Sequence, residues 1–155
     1  MAALILLVRH AKAGHRTRWE GDDRERPLTA KGHRQASALV ETLRPFGPTW
    51  LASSPFLRCR QTLAPLAAAL GLPIAEEPAL AEGNRLDGLL GVGRAAPERA
   101  ACLCTHGDLV EELLSRLLAQ GTIEPSQALA EKAGTWALEL AGDPIRGARY
   151  LPPPD

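Results

Sequence analysis

The sequence predicts an α/β fold with three layers, α/β/α, in which helices cover both faces of a mostly parallel sheet. Two continuous apolar runs, residues 3–8 and 100–105, are typical of strands that are buried on both faces of such a sheet. Segments with apolar residues at helical spacing follow the strands, and this alternation is the pattern of α/β domains. A chain of 155 residues fits one domain, so residues 1–155 are interpreted as a single domain.

A polar loop separates the first strand from the first helix. Residues 3–8 form the strand, and residues 14–27 are dense in charge and contain glycine and proline, which predicts a loop. Thr29 has the residue type of an N-cap, and apolar residues over positions 36–43 then recur at helical spacing. The pattern therefore predicts a helix that begins just after Thr29.

A second strand and helix follow. Residues 50–53 predict a short strand. Ser54 and Pro55 predict a helix start, with serine as the cap and proline at the first helical position, and Gly71 ends that helix. Residues 73–97 are weakly patterned, and no regular element is predicted there.

The C-terminal third contains two more strands and a helix. Residues 100–105 predict a buried strand, and residues 109–118 predict a helix with one strongly apolar side. Residues 135–140 alternate like a strand, and residues 146–151 predict a returning edge strand. Residues 143–155 are interpreted as a terminal hairpin or a frayed tail.

Composition argues against several classes of protein. Lysine plus arginine equals aspartate plus glutamate, 18 against 18, so the basic surface of a non-specific nucleic-acid binder is not expected. The three cysteines are odd in number and form no C-x-x-C pair, which favours a reducing compartment. The apolar start of the chain is too short to span a membrane. These features predict a cytoplasmic protein with no membrane and no nucleic-acid partner.

Two arginines and two histidines fall at one edge of the predicted sheet. Arg9 and His10 directly follow the first strand, Arg58 lies on the first turn of the helix after the second strand, and His106 follows the strand at 100–105. Ligands of open α/β sheets bind outside the carboxyl ends of the strands. A lone histidine or arginine at such a place is usually structural or solvated, but four together predict a shared site.

These residue types suit the binding and transfer of phosphate. Arginine binds phosphate oxygens in a bidentate manner, a neutral imidazole can attack phosphorus, and an imidazolium can stabilise the charge that develops. Backbone N–H groups at helix starts add favourable dipoles. The cationic side chains take the place of a metal ion, so no metal and no cofactor are predicted.

Four motifs, in one order, resemble those of the histidine phosphatase superfamily, which includes the phosphoglycerate mutases. Residues 7–13 read LVRHAKA and resemble the Arg-His motif. Residues 27–36 read PLTAKGHRQA, and residues 53–62 read SSPFLRCRQT. Thr105-His106-Gly107 is similar to the second-histidine motif of that family. The resemblance implies a phosphoglycerate-mutase-like fold.

The resemblance also implies roles for the site residues. His10 would be the nucleophile, and Arg9, Arg58 and His106 would form the phosphate pocket. Arg60 is a weaker candidate, since Arg58 holds the matching position.

One part of the first motif departs from the mutase-like branch. Ala11, Lys12 and Ala13 follow His10 where that branch has Gly-Glu-Thr. This segment resembles short bacterial phosphohistidine phosphatases, and also the phosphatase-like domain fused to MutT-type Nudix hydrolases. The latter resemblance implies a functional link to a Nudix hydrolase on a separate chain.

A general acid is the least defined part of the predicted site. Glu82 follows a leucine in a context similar to the acid of the larger family, and it would protonate the leaving group; a solvated loop glutamate is an equal alternative. Asp108 is the competitor, although its position also suits a capping role. Phosphohistidine substrates carry a better leaving group and do not need this proton.

Four further residues are candidates for contacts to substrate. Lys12 and Arg16 make the loop after His10 locally basic and could contact a second phosphate, although a solvated loop with surface ion pairs is as plausible. Gly107 is assigned to substrate binding with the second-histidine motif. Trp19 in the same loop could stack on a base.

The predicted function is a metal-independent phosphatase that acts through a phosphohistidine intermediate on His10. Its substrate would be a phosphohistidine protein, a small phosphate ester or a nucleotide. Two alternatives stay open: a phosphoglycerate-type mutase, and a phospho-ligand binding module without catalysis.

Overall fold

A computed structural model describes residues 3–95, 100–141 and 144–154 of the protein. These residues form one sheet of six strands. The strands in chain order are β1 (Ala3–Arg9), β2 (Trp50–Ser53), β3 (Ile74–Glu76), β4 (Ala100–Thr105), β5 (Thr135–Leu140) and β6 (Ile145–Leu151). In space they lie in the order β3-β2-β4-β1-β5-β6.

The sheet is mixed but mostly parallel, which confirms the predicted class. β3, β2, β4 and β1 run parallel to one another, whereas β5 is antiparallel to both β1 and β6. β1 and β4 are central neighbours, and Arg9 pairs with Thr105 at their carboxyl ends. The residues that follow these two strands therefore leave the sheet side by side.

Four α-helices complete the three layers. They are α1 (Ala30–Leu43), α2 (Leu57–Leu70), α3 (Leu86–Arg94) and α4 (Gly107–Ala119). Alternate residues of β1 point to opposite faces of the sheet. Leu6 and Val8 pack in a core with residues of α1 and α2, whereas Ile5 and Leu7 pack with residues of α3 and α4.

The start of α1 confirms the sequence prediction. The Thr29 hydroxyl accepts a hydrogen bond of 3.1 Å from the Gly32 backbone N–H, as an N-cap does. A Cβ atom at Gly32 would lie 2.0 Å from the backbone oxygen of Lys12. Glycine at this position therefore lets α1 pack directly against the segment that follows β1.

Two predictions in the middle of the chain are wrong. α2 begins at Leu57 rather than at Ser54, because Phe56 has an extended backbone and is the N-cap. The stretch that appeared weakly patterned contains β3 and α3. α3 escaped detection because three of its nine residues are glycine, a poor helix former.

The C-terminal segment forms a hairpin of β5 and β6, with β6 at the edge of the sheet as predicted. Gly142 and Asp143, predicted to form the turn, lie outside the described residues. Among the residues that are described, no helix has the length and apolarity needed to cross a membrane.

Candidate active site

Two histidines lie together at the carboxyl edge of the sheet. His10 follows β1 and His106 follows β4, and the His10 backbone N–H donates to the Thr105 carbonyl at 3.0 Å. Their ring centroids are 5.5 Å apart in an edge-to-face arrangement. His10 is 6% exposed and His106 is 2% exposed. The parallel pairing of β1 and β4 thus brings together two side chains that are 96 positions apart.

The His10 ring is held in one tautomer. Nδ1 lies 2.8 Å from the Ala11 carbonyl oxygen, which can only accept, so the ring proton is on Nδ1 and Nε2 carries the free lone pair. Burial lowers the pKa of His10 from 6.5 to about 3, and the positive charges of His106, Arg58 and Arg9 act in the same direction. The imidazole is therefore neutral, as a nucleophile requires.

Side chains from α1 and α2 hold the segment that follows His10. The Ala11 backbone N–H donates to Thr62 Oγ1 at 2.9 Å, and the Lys12 N–H donates to Gln35 Oε1 at 3.0 Å. Thr62 in turn donates to the Arg58 carbonyl at 2.7 Å. Gln35 and Thr62, from the two helix motifs, thus hold the segment that follows His10 in place.

Arg58 is fully buried on the first turn of α2. Its terminal nitrogens donate to the Asp23 carbonyl at 2.9 Å, to Asp23 Oδ2 at 3.1 Å and to Glu82 Oε1 at 3.0 Å. Its Cζ atom lies 5.0 Å from the centre of the Phe56 ring. Burial opposes ionisation of Asp23, but bonds from Arg26 and the charges of Arg58 and Arg26 lower its pKa to about 2. Asp23 therefore holds Arg58 as a carboxylate.

Arg9 lies against the start of α4. One terminal nitrogen donates to the Ala130 carbonyl. A Cβ atom at Gly107 would lie 2.7 Å from Arg9 Nη2 and 2.8 Å from its Cζ atom. The glycine after His106 therefore leaves the space in which the Arg9 guanidinium lies, which is a structural reason for the His-Gly pair.

Ser54 is a site residue that the sequence interpretation missed. The sequence predicts a helix cap at Ser54, but its hydroxyl lies 2.8 Å from His106 Nε2 and also accepts from the Phe56 N–H at 3.2 Å. Phe56 packs edge-on against the His106 ring with centroids 4.7 Å apart. The extended segment before α2 thus orients the second histidine. The two adjacent serines before a proline were the available signal.

Three nitrogens of the predicted phosphate pocket are buried and have no hydrogen-bond partner among the described residues. They are Arg9 Nε, Arg58 Nε and His106 Nδ1. Buried polar groups without a partner are rare and often mark a ligand site. All three belong to residues whose charges act on His10. This cluster can accept an anion next to the lone pair of His10.

Glu82 lies beside this cluster, in the loop before α3. Its oxygens accept from Arg58 at 3.0 Å and from Arg16 at 3.1 Å, so it bridges a buried and an exposed guanidinium. Asp108, the competing acid, instead accepts from the Gly83 backbone N–H at 2.8 Å. Asp108 therefore anchors the loop that carries Glu82 rather than capping its own helix.

A basic cavity of about 250 Å³ opens next to His10. We call it the basic pocket. Lys12 and Arg16, the predicted substrate contacts, line it, and so do Arg26 and Lys132. Burial and the nearby charges of Arg9, Arg26, Lys12 and Arg58 lower the pKa of Lys132. Arg60, in contrast, donates to the Pro55 carbonyl and does not line this cavity.

Comparison with known proteins identifies relatives of this chain. A curated relative, the 8-oxo-(d)GTP phosphatase of Mycolicibacterium smegmatis, is 37% identical over 160 residues. The aligned region covers 97% of this chain and 48% of the relative, so the chain spans about half the length of the curated relative it matches.

Solved structures support the fold. SixA from Agrobacterium tumefaciens has a TM-score of 0.73 at 23% identity, covering 97% of this chain and 98% of that one. SixA complexed with tungstate, named a protein histidine phosphatase, has a TM-score of 0.71 at 22% identity, covering 96% of this chain and 94% of that one.

The relative and the solved structures of the same fold are named phosphatases. The chain belongs to the histidine phosphatase superfamily: the sequence model of branch 1 of that superfamily matches residues 5–90, a span that contains the Arg9-His10 pair and Arg58. The resemblance inferred from the motifs is confirmed.

Proposed function

We propose that the protein hydrolyses a phosphorylated substrate in two steps, through a phosphohistidine on His10 and without a metal ion. The observation that carries this proposal is the cluster of unpartnered buried nitrogens on Arg9, Arg58 and His106 around a neutral His10. Three donors of this kind satisfy a phosphate better than they satisfy any neutral ligand.

In the first step Nε2 of His10 attacks phosphorus. The Nδ1 proton stays on the ring, bonded to the Ala11 carbonyl, and supports the positive charge that the ring gains as the N–P bond forms. The bond from phosphorus to the leaving-group oxygen breaks, and the electron pair goes to that oxygen. Because burial keeps His10 neutral, no prior deprotonation is needed at ordinary pH.

Arg9, Arg58 and His106 hold the oxygens of the transferring phosphoryl group. Their positive charge does the work that a metal ion does in other phosphatases, by stabilising the charge on those oxygens. Ser54 keeps the His106 ring in place through Nε2, which leaves Nδ1 for the substrate. In the second step water attacks phosphorus, the N–P bond breaks, and phosphate leaves.

The role of Glu82 depends on the leaving group. An alkoxide needs a proton, and Glu82 is the acid that contacts Arg58 from the loop side. For Glu82→Gln we expect a loss of about 100-fold in kcat on an alkyl phosphate, and a much smaller loss on p-nitrophenyl phosphate, whose leaving group is stable as an anion. Equal losses on both substrates would show that Glu82 only orders Arg58.

The substrate is a phosphohistidine protein, a small phosphate ester or a nucleotide. The relative named an 8-oxo-(d)GTP phosphatase supports the nucleotide, and a mutase activity would instead return the phosphoryl group to a second acceptor. Three unpaired, buried cysteines fit a reducing, cytoplasmic location. The functional link to a separate Nudix hydrolase stays a prediction from the sequence motifs.

The deciding experiment is to trap the intermediate. Wild-type protein is mixed with p-nitrophenyl phosphate, quenched in alkali and digested, and phosphorylated peptides are located by mass spectrometry. We expect one phosphohistidine, on His10, and none in His10→Ala. Phosphate release that persists in His10→Ala, or that stops when a chelator is added to the wild type, would contradict the proposal.

Two further assays of the same proteins test the alternative functions, a mutase and a binding module. Incubation with a phosphoglycerate tests for isomerised product, which hydrolysis does not give. A protein that binds phosphate but forms no phosphohistidine would be a binding module.

A further inference from the structure

Two cavities adjoin each other beside His10. The first is the basic pocket described above. The second, about 240 Å³, is lined by the side chains of the loop between β1 and α1, and we call it the Trp19 cavity. Gly14, His15 and Arg26 line both cavities. The two cavities therefore share a wall, and a ligand bound at His10 in the basic pocket would have to cross this wall to reach the Trp19 cavity.

The basic pocket holds more positive charge than one phosphate uses. Arg9, Arg58 and His106 surround His10, and we call these three residues the phosphate cluster. Arg16 and Arg26 are paired with carboxylates. Lys12 and Lys132, in contrast, have no acidic partner among the described residues. No acidic residue lines this cavity. Two unpaired ammonium groups at its wall predict a second anionic group on the ligand.

The Trp19 cavity has a different chemistry. The Trp19 ring is 37% exposed, although large aromatic side chains are usually well covered. Its Nε1–H donates to the Asp22 carbonyl at 2.9 Å, which fixes the orientation of the ring. Pro27 and Leu28 add apolar lining to the same cavity, and Arg18 adds a planar cation. A fixed, partly exposed indole beside a guanidinium is the kind of surface on which a flat heterocycle stacks.

The loop that carries these residues is pinned at both ends. Ala13 and Leu28 form an antiparallel bridge at its base, and the Gly14 N–H donates to the Pro27 carbonyl at 3.3 Å. Arg58 donates to the Asp23 carbonyl within the loop. The Trp19 cavity is thereby held at a fixed place relative to the phosphate cluster.

We propose that the substrate is a nucleoside polyphosphate, with its terminal phosphate at His10, the preceding phosphate at Lys12 and Lys132, and its base on Trp19. The proposal rests on the proposed function and adds the substrate class. The basic pocket suits the two phosphates of a nucleoside diphosphate, and the Trp19 cavity suits its base. A sugar bisphosphate would leave the Trp19 cavity unused.

The chemistry of the leaving group is consistent with this class. Nε2 of His10 takes the terminal phosphorus, the bond to the bridging oxygen breaks, and the nucleotide leaves with one phosphate fewer. That leaving group is a phosphate whose second pKa is about 6, so it departs as an anion without a proton donor. Glu82, which accepts hydrogen bonds from Arg16 and Arg58, is then not required as an acid.

The test compares two substrate types in matched variants. Wild type, Trp19→Ala, Lys132→Gln and the control Lys31→Gln, an exposed lysine on α1, are assayed with adenosine and guanosine diphosphate, pyrophosphate and acetyl phosphate. Acetyl phosphate has one phosphate and no ring. The measured quantity is kcat/KM for the nucleoside diphosphate divided by kcat/KM for acetyl phosphate.

We expect Trp19→Ala and Lys132→Gln each to lower this ratio about 10-fold or more, since one stacking or charged contact is of that size. Lys31→Gln should leave it unchanged. Pyrophosphate should respond to Lys132→Gln but not to Trp19→Ala. Ratios that are the same in all four proteins, with acetyl phosphate still hydrolysed, would overturn the substrate class and leave the proposed function intact.

If neither the nucleoside diphosphates nor acetyl phosphate is hydrolysed, the substrate class is tested by ligand binding to His10→Ala. In that case the proposed function fails, and calorimetry with His10→Ala decides the ligand class. The proposal is supported if His10→Ala binds adenosine or guanosine diphosphate more tightly than pyrophosphate, and if the double variant His10→Ala, Trp19→Ala loses this difference. Equal affinities for pyrophosphate and the nucleoside diphosphates would overturn it.

Discussion

The ends of β1 and β4 differ in spite of their parallel, in-register pairing. Each strand ends at this edge of the sheet and is followed by a histidine. After β1 the chain enters a long polar loop, and His10 is fixed by its own neighbour, the Ala11 carbonyl. After β4 the chain enters α4 at once, and His106 is fixed by Ser54, which comes from another strand end.

This difference assigns different chemistry to two identical side chains. In His10 the bonded atom is Nδ1, which leaves the lone pair of Nε2 free for the proposed attack on phosphorus. In His106 the bonded atom is Nε2, which leaves a buried Nδ1 without a partner. The partner of one ring nitrogen therefore decides the use of the other, and the four predictions below test this comparison.

The largest effect is expected from exchanging the two histidines for alanine. His10→Ala should lower kcat for p-nitrophenyl phosphate by about 10,000-fold or more, because the nucleophile is lost. His106→Ala should lose about 100-fold to 1000-fold and still form phosphohistidine on His10. Rapid quench with mass spectrometry measures both. Equal losses of kcat in the two variants, or the absence of phosphohistidine in His106→Ala, would contradict the different roles of the two histidines.

A matched pair of arginines on α2 tests the phosphate cluster. Arg58→Lys should lower kcat/KM by about 100-fold, since an ammonium group cannot replace the planar fork that contacts Asp23, Glu82 and the phosphate. Arg60→Lys, two residues along the same helix, should keep wild-type activity. Thermal unfolding of both variants checks that each is folded at the assay temperature. Similar activities of the two would remove Arg58 from the cluster.

The pH dependence of stability tests the state of His10. Its pKa is lowered from 6.5 to about 3, so between these values the unfolded chain takes up a proton that the folded protein does not. Above pH 6.5 neither state binds it and there is no effect. The free energy of unfolding of the wild type should therefore fall by about 2 kcal/mol at pH 5 relative to His10→Asn, which cannot titrate. Urea denaturation at pH 5 and 7.5 measures this, and parallel curves for the two proteins would refute the buried, neutral imidazole.

The smallest effect is expected at the contact that joins the two strand ends. Gly107→Ala places a Cβ atom against the Arg9 guanidinium, the flexible end of a side chain, which moves. We expect kcat to fall about 10-fold, because Arg9 no longer reaches the phosphate, with little change in the melting temperature. Gly91→Ala, where a Cβ meets nothing within 4 Å, is the control. A loss of stability without loss of activity would contradict this account.

The strands and the placement of four candidate site residues could be predicted from the sequence because their signals are local. The buried runs at Trp50–Ser53 and Ala100–Thr105 have the predicted bounds, and the rule for α/β sheets then located Arg9, His10, Arg58 and His106 at one edge. The antiparallel direction of β5 could not be predicted, since alternation along one strand does not specify how its neighbour runs.

Other features depend on contacts between distant residues. The glycines of α3 weaken its helical sequence pattern. Gly93 is needed for close packing, because a Cβ there would lie 2.1 Å from Ile5 Cδ1. Ser54 has the local pattern of a cap, and only the position of His106 shows its other use. Lys132, far along the chain, reaches the pocket through the turn before β5.

The bridge between Ala13 and Leu28 has a practical consequence for protein engineering. It closes the base of the loop independently of what lies between, and Asp23 and Arg26 secure the loop's second half. We therefore expect that residues 17–21, which leave Arg16 and its bond to Glu82 in place, can be exchanged as a cassette without moving His10. Libraries of variants in that stretch could then be screened for a changed preference for the leaving group, with the rest of the fold unchanged.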